Sequence, residues 1–144
     1  LCGKYYGAGD SVSFRSLVRR LYVWGAAMTV VFTVLYAVGG QDFLGLLTSD
    51  THVVRAAMRY LPWAVAIPVC GVMAFIYDGV FIGVTATRGM LVSSALATAL
   101  FFVLYLSLSA TLANDGLWIA FLAYLACRGA VQGVLVHKSK FMSV

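Results

Sequence analysis

Four stretches of this chain run with almost no charge: 21–38, 60–77, 89–113 and 116–136, the last interrupted only by Arg128. At a helical rise of about 1.5 Å per residue, about 18–20 apolar residues cross the hydrocarbon core of a bilayer. The pattern therefore predicts an all-α integral membrane protein with four transmembrane helices. The polar breaks place a cytoplasmic connection and helix start at 1–20 and a first span at 21–40. An extracytoplasmic connection follows at 41–59, then a long second span at 60–87. A third span covers 88–113 and a fourth covers 114–136 with the short turn Asn114-Asp115-Gly116 before it, leaving a tail at 137–144.

Composition agrees with that pattern. The chain of 144 residues is 62% hydrophobic and 10% charged, with a mean hydropathy of +0.95. Soluble domains carry about 25% charged residues, so this balance belongs to a lipid-embedded chain. Basic residues set the orientation, because Lys and Arg near span ends are retained on the cytoplasmic side. Lys4, Arg15, Arg19, Arg20, Arg88, Lys138 and Lys140 fall on one side, and Arg55 and Arg59 on the other. Both ends are expected to be cytoplasmic. The net charge of +5 is a topology signal, since a nucleic-acid partner needs basic residues gathered on a soluble face.

Local signals refine the spans. Ser49 or Asp50 is placed to cap a helix that starts outside the bilayer and continues into the second span. Pro62 and Pro68 within that helix each remove a backbone donor and predict a bend. Gly79 and Gly83, and again Gly129 and Gly133, are four residues apart, so each pair puts two small residues on one helix face. Such faces let a neighbouring backbone approach closely. The first residue is Leu1 rather than Met, and no signal-peptide pattern follows, so the chain reads as a fragment or the end of a longer protein.

Soluble-enzyme chemistry finds no support. The opening Gly3-Lys4-Tyr5-Tyr6-Gly7-Ala8-Gly9-Asp10 is glycine-rich, but no strand precedes it and no Gly-Lys-Ser/Thr leads into a helix. It reads as a helix end and a turn, not a phosphate loop. His52 and His137 are far apart, and Cys2, Cys70 and Cys127 lack zinc or redox spacing. No metal, no cofactor and no catalytic residue is expected.

The charges inside the spans are the informative residues. Asp78 is the sole formal charge between Tyr60 and Thr87. It lies ten residues before Arg88, and Arg128 lies ten before Lys138, so each sits about 15 Å inside the same membrane boundary. Depth permits the two to meet, and pairing would offset the cost of about 2.5–3.5 kcal/mol for a lone charge at mid-membrane. Three roles for Asp78 stay open: an ion pair with Arg128, a hydrated cavity binding a proton, sodium ion or cationic substrate, or local hydrogen bonding near Gly79. Tyr77, Thr85, Tyr124 and Gln132 are the candidate hydroxyl and amide partners.

The run "LPWAVAIPVCGVMAFIYDGVFIGVTATRGM" (61–90), with "GLWIAFLAYLACRG" (116–129) and "GKYYGAGD" (3–10), resembles the multidrug and toxic compound extrusion (MATE) transporters, in particular their DinF-like branch. After the arginine of "TATR" that branch usually continues Met-Arg-Asn, whereas Met90 is followed here by Leu91 and Val92. The resemblance implies helices nine to twelve of a twelve-helix protein, part of its second six-helix lobe. It implies a secondary antiporter of the bacterial inner membrane that exchanges drugs or other organic compounds for sodium ions or protons. Its partners would be the amino-terminal helices, the bilayer and a small organic, often cationic, substrate. Asp78 would lie on the helix that carries a cation-binding acid in another branch. The alternatives are a lipid-linked oligosaccharide flippase of the same superfamily and a small four-helix subunit that transports nothing.

Overall fold

The computed structural model describes residues 1–138. Lys140 and the rest of the expected tail beyond Lys138 lie outside the described residues. Four helices follow one another: α1 (Cys2–Gly7), α2 (Ser11–Leu47), α3 (Thr51–Gly83) and α4 (Thr87–Lys138). No strand occurs among the described residues. The chain is an all-α membrane fragment in which α2, α3 and α4 are each long and apolar enough to cross a bilayer.

Two helices begin at aspartate caps. Asp10 Oδ1 accepts the Ser13 amide at 3.0 Å, and Asp50 Oδ1 accepts the His52 amide at 2.8 Å. Each carboxylate satisfies an amide that the first turn leaves without a backbone partner. Asp50, and not Ser49, is the cap of α3. The connection expected over 41–59 is mostly helical. Only Thr48–Asp50 interrupts the helices there, because α2 continues through the apolar Phe43-Leu44 and Leu46-Leu47 pairs and α3 starts as soon as a cap is available. Helix α2 begins at Ser11, inside the segment 1–20 expected to hold a helix start, so Arg15, Arg19 and Arg20 project from its first turns. The second span ends at Gly83 rather than 87, where Val84 and left-handed Thr85 (φ 57°) break the helical geometry. Helix α3 is unbroken through Pro62 and Pro68.

Helix α4 holds both remaining spans. Its 52 residues would measure about 78 Å if straight, more than twice the hydrocarbon thickness. Instead Ala113 adopts φ 46°, ψ −118°, and the helix doubles back. A Cβ on Gly116 would sit 3.1 Å from the Leu108 backbone, whereas eight residues of straight helix span about 12 Å. The turn expected at Asn114-Asp115-Gly116 is thus one residue earlier, and 114–116 are already helical. Asp115 is used elsewhere: its Oδ1 accepts the Trp63 indole N–H at 3.1 Å, tying the reversal to α3.

The bundle is packed most tightly at the end where α1 lies. Phe14 and Val18 of α2 meet Cys2, Val80 and Val84, and Tyr77, Phe81 and Val136 join α3 to the last turns of α4. At the opposite end Gly40 admits the Leu61 side chain, and the rings of Tyr60 and Trp118 stack at 6.4 Å. Many large apolar residues between these ends face outward, among them Val30, Val34 and Val103. In lipid such exposure costs little, and helices associate through dispersion and interhelical hydrogen bonds.

Candidate functional site

The site is built where α3 crosses the second limb of α4. Gly129 makes the crossing close: a Cβ there would lie 2.9 Å from Met73 Cβ and 3.0 Å from the Ala74 backbone nitrogen. With the helices this near, residues one turn to either side meet across the gap. Arg128 Nη2 donates to Asp78 Oδ2 at 2.7 Å. Gln132 Nε2 donates to Asp78 Oδ1 at 2.6 Å. Arg128 and Gln132 are four residues apart and therefore share a helix face. Both carboxylate oxygens are engaged, one by a guanidinium and one by an amide.

The electrostatics follow from this geometry. The Asp78 and Arg128 side chains are only 19% and 18% exposed, and the pair is formally neutral. Charge-assisted bonds of this length are the strong kind, since the local dielectric is low and an ionised group takes part. Gln132 is fully buried, and its Oε1 has no hydrogen-bond partner, nor does Arg128 Nε. The network thus presents one acceptor and one donor still unfilled. An ionised Asp78 can only accept, so Gln132 must turn its NH2 toward it and its carbonyl away.

The other candidates are placed elsewhere. Tyr77 is buried, with its ring edge-on to Tyr22 at 5.8 Å and against Gly133, where a Cβ would come within 3.3 Å of the phenol oxygen. Thr85 sits in the turn after α3, and its hydroxyl donates to the Val84 carbonyl at 2.7 Å. Tyr124 stacks on Phe121 at 6.4 Å. None of these three hydrogen-bonds to Asp78, whose partners among the described residues are Arg128 and Gln132. Gly83 packs against α1, with a Cβ there 2.7 Å from Cys2 Cβ, and Gly3 meets the Gly83 carbonyl from the other side. Gly79 is a correction: a Cβ there meets nothing within 4 Å, because it faces an open apolar groove between α2 and α3.

That groove, about 690 Å³, is the feature that sequence reasoning missed. It runs beside Trp24, Met28, Phe32, Pro68, Val72 and Gly79. Asp78 is not among the groove-lining residues. Its carboxylate is bonded toward α4. No cluster of three His, Cys, Asp or Glu side chains at metal-binding spacing occurs among the described residues. All three cysteines are free.

A multi-pass helical bundle with an ion pair held between two spans is the class this geometry defines. The MatE family model matches residues 1–108, and the chain belongs to the MatE family. DNA damage-inducible protein F of Escherichia coli (strain K12) is 38% identical over 127 residues, which cover 88% of this chain and 28% of that relative. The chain therefore spans less than a third of the length of the curated relative it matches. No solved structure matches it. The family match contains Asp78 and ends before the Ala113 reversal, so Arg128 and Gln132 lie beyond it.

Proposed function

We propose that this chain forms helices nine to twelve of a MATE-type secondary antiporter, one that exports drugs or other organic compounds in exchange for sodium ions or protons. Family membership supports transport. The observation that carries the site assignment is Asp78, an acid inside a span, held between Arg128 and Gln132. Intramembrane acids of this kind mark ion or substrate pathways. Each carboxylate oxygen already accepts one bond, so a proton or cation that binds Asp78 weakens its pairing with Arg128 and competes with Gln132. Loading of the acid is thereby passed to the α3–α4 crossing at Gly129, where a small shift moves one helix against the other. Alternating access needs such a coupling between site occupancy and helix position.

The charges support an inner-membrane orientation with both ends cytoplasmic. Lys4, Arg15, Arg19, Arg20, Arg88 and Lys138 lie at the α1 end of the bundle with one acid, Asp10, whereas Arg55 and Arg59 lie at the other end among Asp42, Asp50, His52 and Asp115. A flippase for anionic lipid-linked sugars would need several unpaired basic residues deep in the spans, whereas Arg128 is neutralised by Asp78. The test is efflux from vesicles containing the intact protein, driven in turn by a sodium and a proton gradient, with Asp78→Asn beside the native protein. The expected result is that the variant loses gradient-driven efflux while still inserting. Unchanged efflux and unchanged ion dependence would reduce Asp78 to a packing role.

A further inference from the structure

The geometry points to a binding site for one anionic phospholipid along α2, with the headgroup at the α1 end and an acyl chain in the apolar groove. This inference does not depend on the transport reading. A small pocket of about 270 Å³ opens at the first turns of α2, lined by Tyr5, Ser13, Ser16, Leu17 and Arg20 among others. Tyr5, Ser16 and Arg20 supply hydroxyls and a guanidinium, the groups that bind phosphate, while the Ser13 hydroxyl is held by Asp10. Arg19 and Arg20 are exposed, and neither is in an ion pair among the described residues. Asp10 is the nearest acid, and its carboxylate is bonded to Ser13. Lys4, Arg15, Arg19, Arg20, Arg88 and Lys138 outnumber it at this end of the bundle, so the local field favours an anion.

The apolar groove begins one helical turn farther along α2, Leu17 of the pocket and Leu21 of the groove being four residues apart. Leu17 lines the pocket, and Leu21, Trp24, Met28 and Phe32 line the groove. Their spacing of three and four residues makes one unbroken stripe along the helix. From Leu21 to Tyr36 the stripe runs about 22 Å, longer than the hydrocarbon depth of one leaflet, about 15 Å. Opposite it, Gly79 leaves open space where a side chain would otherwise close the groove. A basic, hydroxyl-lined mouth above an acyl-length apolar trough matches a phospholipid with a net negative headgroup. A free phosphate would fill the mouth alone, and a neutral lipid only the trough.

The experiment is native mass spectrometry of the intact protein in detergent, titrated with phosphatidylglycerol and, separately, with phosphatidylcholine. Phosphatidylglycerol is expected to bind in preference, and less so as salt is raised. Arg19→Gln and Arg20→Gln should each weaken it by about fivefold, in line with the attraction of one basic residue to an anionic surface. Gly79→Leu fills the trough without touching the mouth and should also weaken it. Equal retention of the two lipids, or no change in the arginine variants, overturns the proposal. So does a Gly79→Leu protein that fails to insert, because the groove would then be occupied by a helix of the same protein.

Discussion

Removing Arg128 alone should destabilise the bundle more than removing Arg128 together with Asp78. In Arg128→Met the 2.7 Å bond is lost, and Asp78 keeps only the amide of Gln132. The orphaned carboxylate then sits in a span with no counter-charge. Breaking a fully buried pair costs about 3–5 kcal/mol. Since about a fifth of each side chain is exposed, the pair is not fully enclosed, and about 2–4 kcal/mol is the expected loss. Asp78→Leu combined with Arg128→Met removes both charges, and isosteric apolar replacement of a pair is often close to neutral. The double variant should therefore recover about 2 kcal/mol or more relative to Arg128→Met. The assay is reversible unfolding of the intact protein in mixed micelles, titrated with denaturing detergent, on the native protein, both single variants and the double. Strict additivity of the two single losses would refute the argument, because it would mean that the charges do not interact across the crossing.

Three further outcomes follow from particular contacts. Gly129→Ala drives a methyl to within 3.0 Å of the α3 backbone and should cost about 1–3 kcal/mol as overpacking, whereas Gly79→Ala meets open space and should be neutral or slightly stabilising; equal effects in the unfolding titration would contradict the packing described. Ala113→Gly should stabilise by about 1–2 kcal/mol, because φ 46°, ψ −118° strains a residue that has a Cβ and suits glycine; a loss of stability would argue against that reversal. Hydrogen bonds from the Ser13 side chain and amide hold the Asp10 carboxyl below its ordinary 3.8. The folded value lies below the unfolded one, so the cap is fully effective above the ordinary value and is lost as pH falls through the folded value. Protection of the Ser13 amide from hydrogen exchange should decline in that acid range and not near neutrality, and Asp10→Asn should abolish the pH dependence.

Some of this protein is written in local order. Apolar runs of span length, the Asp10 and Asp50 caps and the basic bias of one end are properties of neighbouring residues, so composition and spacing expose them. Even the shared depth of Asp78 and Arg128, which permits them to meet, is legible, because equal distances from Arg88 and Lys138 are a matter of helical rise. Depth, however, says nothing about rotation around a helix axis. Tyr77 and Tyr124 lie near the right depth, yet one packs on Tyr22 and the other on Phe121. Gln132 shares its face with Arg128 and closes the network. Gly79 and Gly129 look alike as small residues at four-residue spacing. One faces empty space and the other the α3 backbone, because only the crossing of two helices assigns a face to a neighbour. The length of α2, the position of the reversal at Ala113 and the groove beside Trp24 likewise depend on what each turn packs against. Sequence alone determined that the chain spans a membrane, with an acid and a base at one depth. Tertiary structure decided which side chains reach them, since that choice rests on helix rotation and on separations of a few tenths of an ångström.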